Sequence, residues 1–209
     1  MPGLEKVTQA VCDKSAPLDN KDVVDLGSGS GQVTLKLAPG ARSVIAVDFS
    51  ADMLRILAER AAEQGLDNVS TQLSTLQALR LPDNSLDLVV SNYALHHLRH
   101  PEKVELLGRC AQWLRPGGRI VVGGMMFGLT GDAQGRQIIA GKVRAIAKRG
   151  PAGWWRIAKN AWKMIVARQE CPEPIDSWES MLADAGFIMV ESGRVVAEAA
   201  FVAGLLPES

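Results

Sequence analysis

Asp25-Leu-Gly27-Ser-Gly29-Ser-Gly31 sets glycine at every second position, directly after a β-rich run and before a helix-like segment. Glycine at such a turn admits positive φ and lets a ligand approach the backbone closely. A helix that follows offers free N–H groups and a positive dipole end to an anionic group. Spacing then decides between ligands. A dinucleotide turn needs G-x-G-x-x-G, but counted from Gly27 its last glycine falls on Gln32, and from Gly29 on Thr34. A phosphate loop needs Gly-Lys-Ser/Thr, which is absent here. Asp48 stands 21 residues after Gly27, at the end of the next β-rich run, where a carboxylate suits a ribose diol. A ribose acceptor without a pyrophosphate cradle points to a nucleoside. The bland alternative, a tight strand–helix turn with no ligand, leaves Asp48 unexplained.

The three histidines, His96, His97 and His100, fall within five residues. On a functional reading His97 or His96 touches acceptor or cofactor, where an imidazole suits proton transfer. On the bland reading both anchor their loop by hydrogen bonds, and His100 belongs to the cap before Pro101. Tyr93, the single tyrosine, either packs or lines the site. No histidine or cysteine elsewhere has ligand spacing, so no metal is expected.

The elements that must carry these residues alternate. Residues 22–26, 43–48, 69–73, 86–91 and 119–123 read as strands. Between them lie helix-like segments at 32–38, after Ser50 as N-cap, and from Pro101 to Leu114, ended by Arg115-Pro-Gly-Gly118. In the second of these, Met53, Leu54, Leu57, Ala58 and Ala61 share one face. Near-continuous apolar strands separated by helices mean a parallel sheet covered on both faces, with ligand outside the strands' carboxyl ends. Asp176-Ser-Trp-Glu179 has capping-box spacing with Ile175 as staple. Residues 187–191 and 195–203 read as two closing strands joined by a hairpin at Ser192-Gly193. The fold class expected is α/β, doubly wound, in one domain over 1–209 with a helical insert at about 127–170.

Composition narrows the class. Basic and acidic residues balance at 23 each, which excludes a globally basic nucleic-acid binder and an acidic disordered chain. Three scattered cysteines, no apolar leader and no apolar run of about 20 residues make a cytoplasmic, soluble protein the expectation. The balance hides an asymmetry. Between Asp132 and Glu170 there is no acid, but there are nine basic residues, from Arg136 to Arg168, and Trp154, Trp155 and Trp162. Read as a helix, Trp154, Ala158, Ala161, Trp162, Ile165 and Val166 share a face opposite Arg156, Lys159 and Lys163. That suits a lid over the acceptor with a solvated basic face. It also suits an interfacial helix resting peripherally on anionic membrane through 136–168, or arginines that hold an anionic acceptor.

The chain resembles class I S-adenosylmethionine-dependent methyltransferases, most closely the small-molecule branch of ubiquinone/menaquinone-type enzymes. The likeness runs from about Val23 to Val122. It rests on Val24-Asp-Leu-Gly-Ser-Gly-Ser-Gly31, Ala46-Val-Asp-Phe-Ser50 with Met53-Leu54, and Leu81-Pro-Asp-Asn-Ser-Leu-Asp87. Asn92-Tyr-Ala-Leu-His-His-Leu98 and Leu114-Arg-Pro-Gly-Gly118 complete it. The resemblance implies a seven-stranded, mostly parallel sheet whose last strand is antiparallel. It implies S-adenosylmethionine as cofactor and S-adenosylhomocysteine as product. Asp25, Gly27, Ser28, Gly29, Gly31 and Asn92 would lie by the methionine portion, Asp48 by the ribose, and Phe49 and Met53 by the adenine. Relatives often place an acid after the third strand for the adenine amino group. This chain has Thr75-Leu76, so a hydroxyl and the Leu76 amide would serve, with weaker affinity. Relatives also often carry longer helical segments before the first strand, where about twenty residues stand here.

Methyl transfer from a sulfonium is an in-line displacement whose reactivity comes from the cofactor. The protein must hold the nucleophile about 3–3.5 Å from the methyl carbon. A base is needed only where the nucleophile loses a proton. The loop Ser91-Asn92-Tyr93-Ala94 lacks the Pro-Pro of nucleobase amino-methylating enzymes, which argues against nucleic acid. The expected activity is methylation of oxygen or carbon on a hydrophobic small molecule. The alternatives are a phospholipid or quinone methyltransferase at a membrane surface, and a repurposed cofactor-binding protein such as a partner subunit or cyclase.

Overall fold

The computed structural model describes residues 2–127 and 171–208. In chain order the elements are α1 (Pro2–Ser15), β1 (Asp22–Leu26), α2 (Thr34–Leu37), β2 (Ser43–Asp48), α3 (Ala51–Glu63) and β3 (Val69–Leu73). After them come β4 (Leu86–Asn92), α4 (His100–Trp113), β5 (Leu114–Met125), α5 (Ile175–Asp184), β6 (Ile188–Val196) and β7 (Ala199–Leu205). The strands form one seven-stranded sheet in the order β3-β2-β1-β4-β5-β7-β6. β1 to β5 pair in parallel, and β7 runs antiparallel to both β5 and β6. The doubly wound sheet expected from the alternation is therefore present, antiparallel last strand included.

Side-chain alternation builds two cores from one set of strands. Val24, Leu26 and Val89 enter a cluster with Leu106, Leu107 and Trp113 of α4 and Trp178 and Leu182 of α5. Val23, Leu88 and Val90 point to the other face, where Val11 of α1, Leu37 of α2 and Val44 complete the second cluster. Burial on both faces is why these strands are nearly all Val and Leu.

The N-terminal segment, to which the sequence reading gave no element, is a helix. Val7, Thr8, Val11 and Ser15 form its buried stripe. α1 seats on β5 at Gly123, where an added Cβ would stand 2.4 Å from Val11 Cγ2. Several boundaries also differ. The helix expected at 32–38 is one α-turn followed by a 3-10 turn over Ala38–Gly40, because Pro39 and Gly40 end it. Arg115-Pro-Gly-Gly118 is part of β5, which carries a register irregularity there. α5 is capped by Pro174 rather than Asp176, and Ile175 is its first residue. Within α3 only Leu54, Leu57 and Ala61 of the expected face are buried.

The closing hairpin turns between Val196 and Ala199, not at Ser192-Gly193. Gly193 pairs with Phe201 in mid-strand, and a Cβ there would sit 2.6 Å from the Phe201 ring. Glycine marks a close approach at that position, not a turn. The expected insert, including Trp154, Trp155 and Trp162, lies outside the described residues apart from Phe127, which is buried.

At the amino ends of the strands Asp22 gathers two cations. Arg42 donates to it through Nε at 2.8 Å and through Nη2, Ser43 Oγ donates at 2.7 Å, and Arg115 Nη2 at 3.0 Å. Arg42 above all holds the Asp22 carboxyl well below the usual carboxylate range. A carboxylate depressed in the folded state stabilises above its unfolded pKa and loses that contribution as pH falls. Asp22→Asn is expected to cost about 2 kcal/mol at pH 7, with part of the gain screened because the arginines reach solvent. The gap to wild type should begin to narrow below about pH 4 and keep narrowing as pH falls further; urea melts at pH 7 and across the acid range measure it.

Candidate cofactor site

Among the described residues a cavity of about 470 Å³ opens at the carboxyl ends of β1, β2 and β4. Its floor is the glycine turn. Gly27, Gly29 and Gly31 all adopt positive φ, at 74°, 53° and 89°. The three do different things. A Cβ on Gly27 would fall 2.2 Å from Ala94 Cβ, so Gly27 lets the loop after β4 close down on the turn. A Cβ on Gly31 would meet Leu57 at 2.9 Å and Leu35 at 3.1 Å, so Gly31 serves packing and stands away from the cavity lining. A Cβ on Gly29 would meet nothing within 4 Å, although Gly29 lines the cavity.

β2 holds the turn in place. Val47 O accepts from Gly27 N at 2.8 Å and Ser28 N at 2.9 Å. Asp48 Oδ2 accepts from Gly29 N and Oδ1 from Ser50 N, both at 2.9 Å. Each oxygen keeps a lone pair, enough for two hydroxyls. Ser28 Oγ is buried with no partner among the described residues. Phe49 beside Asp48 is 76% exposed and Met53 41%; large apolar side chains left bare at a cavity mark a binding surface. Phe49 lines the cavity, whereas Met53 stands outside its lining.

Asp25, at the end of β1, is buried. Its Oδ2 accepts from Thr34 Oγ1 at 2.6 Å and Thr34 N at 3.1 Å. Burial, opposed by the Thr34 bonds and reinforced by Asp48, pushes its carboxyl up to about 6. Asn92 closes the same side. Its Nδ2 donates to Thr8 Oγ1 at 2.9 Å, which ties β4 to α1, and Oδ1 is buried without a partner. Leu4 of α1 lines the cavity too. The sequence reading missed Leu4 and Thr8; the signal was the helical spacing of Leu4, Val7, Thr8 and Val11.

Thr75 and Leu76 both line the cavity, and the Thr75 hydroxyl makes a bond within its own turn. Thr75 Oγ1 accepts from Ala78 N at 3.3 Å. The loop after β4 separates the two candidate histidines. His97 is exposed and lines the cavity. His96 is buried beneath it, its Nδ1 without a partner, and burial, with His97 and Lys103, pushes its pKa down to about 4. His96 is thus a neutral packing residue outside the cavity lining. Tyr93 lines the cavity at φ 53°, a strained backbone for a bulky residue, fixed by its N–H to Gly123 O at 2.9 Å. His100 is the first residue of α4 and pairs with Glu173 at 3.1 Å, away from the cavity.

Comparison with known proteins follows the geometry. Residues 23–118 match the family described as a methyltransferase domain. Phosphoethanolamine N-methyltransferase 1 of Caenorhabditis elegans is 39% identical over 116 residues, 55% of this chain and 24% of that protein. Bacillus subtilis YcgJ, described as a methyltransferase, is 32% identical over 100 residues, 48% of this chain and 39% of YcgJ. Its crystal structure superposes with a TM-score of 0.70 at 15% identity, covering 97% of this chain and 99% of that one. Phosphoethanolamine N-methyltransferase 1 of Haemonchus contortus, solved with phosphoethanolamine and S-adenosylhomocysteine, is 35% identical with a TM-score of 0.55. It covers 62% of this chain and 28% of that chain. The sequence matches span well under half the length of the two curated relatives.

Sheet order and family match agree: the fold is the Rossmann-like methyltransferase fold, and residues 23–118 match a methyltransferase domain. The relatives named are phosphoethanolamine and YcgJ-type methyltransferases, not the ubiquinone/menaquinone branch that the sequence motifs suggested.

The two cavity glycines should respond differently to substitution. Gly29→Ala has room for its methyl, so it should lose only about 1 kcal/mol of stability to backbone strain. The methyl would occupy ligand space, and affinity for S-adenosylhomocysteine should fall at least about tenfold. Gly27→Ala should lower the melting temperature sharply as well, through its clash with Ala94. Thermal melts beside calorimetric titration separate the two effects.

Proposed function

We propose that this protein transfers the methyl group of S-adenosylmethionine to oxygen or carbon of a small hydrophobic acceptor. The observation that carries the cofactor reading is the open face of Gly29 beside a carboxylate, Asp48, that is ordered by the backbone and still has lone pairs to offer. The orphan Ser28 Oγ and the bare Phe49 fit the same nucleoside. Asp48 would hold the ribose hydroxyls, Phe49 the base, and Asp25 with Asn92 the amino-acid portion. When bound, the cofactor supplies an electrophilic methyl carbon on a cationic sulfur.

The residues of the chain do the rest. Leu4, Ala94 and Leu98 supply apolar lining of the cavity and would exclude water from the reacting atoms. Tyr93 and His97 supply the polar groups of that side, and His97 is positioned to take a proton where the acceptor must lose one. A second reading, methylation of an amine nitrogen, is favoured by the 39% identity to a phosphoethanolamine N-methyltransferase. An amine must arrive unprotonated, so His97→Gln should reduce its methylation by about 10²-fold or more. Methylation of an acidic phenol or enol should change by less than tenfold. Steady-state rates with the two acceptor classes decide between them.

Titration of S-adenosylmethionine and S-adenosylhomocysteine, with NADH as control, tests the cofactor reading. Micromolar binding of the sulfur nucleosides and none of NADH is expected, and Asp48→Ala should abolish it. Failure of both nucleosides to bind overturns the proposal.

Asp25 adds a pH dependence. A cationic ammonium favours ionised Asp25, so affinity should climb with pH, by up to about tenfold per unit below pH 6, and level off above it. For folding the sign is opposite: the raised pKa stabilises at low pH, and that contribution is lost as pH rises through about 6. Asp25→Asn should flatten the affinity profile. Calorimetry from pH 5 to 8 reads both.

A further inference from the structure

We propose that Arg109 of α4 is a specificity-positioning residue: it fixes the turn at 75–79 so that the nucleobase is read by main-chain groups. The proposal rests on the nucleoside reading above. A guanidinium is a rigid fork of donors, and this one spans three carbonyls of a single turn. Nη2 donates to Leu76 O at 3.0 Å; Nη1 donates to Gln77 O at 3.0 Å and Leu79 O at 2.8 Å. Trp113, one helical turn further along α4 and 2% exposed, lies 5.8 Å beneath the guanidinium and sets its plane.

Arg80 duplicates part of this. Its Nη1 donates to Gln77 O at 2.9 Å and Leu79 O at 2.8 Å, but the Leu76 carbonyl takes Arg109. That carbonyl matters most. A trans peptide is planar, so pinning Leu76 C=O toward α4 also fixes the Gln77 N–H in the opposite direction. Leu76 and Gln77 both line the cavity that Phe49 also lines. At the far end of the turn Leu79 is 1% exposed in the core, so the turn is anchored at both ends.

Side chains at the turn are partly committed elsewhere: Thr75 Oγ1 accepts from Ala78 N at 3.3 Å, Gln77 Nε2 donates to Glu102 Oε1 at 3.4 Å, and Leu76 offers no polar side chain. Adenine presents a ring-nitrogen acceptor that a fixed main-chain N–H complements, whereas hypoxanthine carries an N–H at that position. Discrimination between the two bases therefore reports how firmly the turn is held, and a merely structural arginine would not alter it.

The experiment is calorimetric titration of S-adenosylhomocysteine and S-inosylhomocysteine into wild type, Arg109→Ala, Arg109→Lys and Arg80→Ala, each with a thermal melt. Wild type should favour the adenine compound by about tenfold or more, because an amide fixed to meet an acceptor faces a donor in hypoxanthine. Arg109→Ala should bring the ratio close to one. Arg109→Lys should restore part of it, because one ammonium cannot span three carbonyls, and Arg80→Ala should keep it. An unchanged ratio in folded Arg109→Ala, or equal affinity of wild type for both compounds, overturns the proposal and leaves the cofactor reading standing. If Arg109→Ala does not fold, an unchanged ratio in Arg109→Lys overturns it equally. Wild type that binds neither compound overturns both.

Discussion

The structure depends on how the end of β2 grips the glycine turn. Three residues in left-handed backbone within five positions would be a disordered loop in isolation, because nothing local favours that sequence of dihedrals over others. Val47 O takes two consecutive N–H groups of the turn, and Asp48 takes a third through its side chain. The strand neighbouring β1 therefore supplies the partners that the turn cannot find within itself. A residue expected only to meet a ligand is also the fastener of the loop that forms the ligand's bed. Cofactor affinity and the shape of the turn are coupled through one carboxylate.

The opposite wall is built by close approach. Gly123 admits α1 onto β5, and α1 brings Thr8 to Asn92 and Leu4 to the cavity. Gly27 admits Ala94, and with it the loop bearing Tyr93 and His97. In both places the missing Cβ lets an element pass that any side chain would hold off. The strain at Tyr93 is tolerated because its amide is committed to Gly123 O in the adjoining strand. The cavity is thus defined by three glycines with unlike duties: two admit protein, and Gly29 leaves space for ligand.

The central sheet was legible in the sequence because its strands are buried on both faces and read as apolar runs between amphipathic helices. The glycine turn and Asp48 were legible because chemistry fixes their spacing. Other features depend on partners distant in sequence. Gly193 looks like a turn residue until Phe201 is set across from it. The equivalence of His96 and His97 breaks only when the loop buries one and exposes the other. Thr75 reads as a free acceptor until Ala78 N closes on it. Arg109 is one basic residue among 23, and nothing local reveals that its fork spans a turn thirty residues earlier. Periodicity reveals faces, not which loop a long side chain will reach.

The division between matched and unmatched chain has a chemical meaning. Of the residues lining the cavity, every one but Leu4 lies within 23–118, the stretch that matches the methyltransferase family. That stretch holds Asp48, the glycine turn, the turn at 75–79 and the loop with Tyr93 and His97. It is the part of the protein that must stay the same whichever acceptor is methylated, because the sulfonium supplies the reactivity and needs only to be held. On the proposed function, acceptor choice falls to residues outside that stretch, of which Leu4 in the helix before β1 lines the cavity. High identity to phosphoethanolamine enzymes over the shared part therefore speaks to the cofactor more strongly than to the acceptor. The two acceptor readings differ chiefly in whether His97 must remove a proton, and that residue stands where the shared bed meets the variable wall.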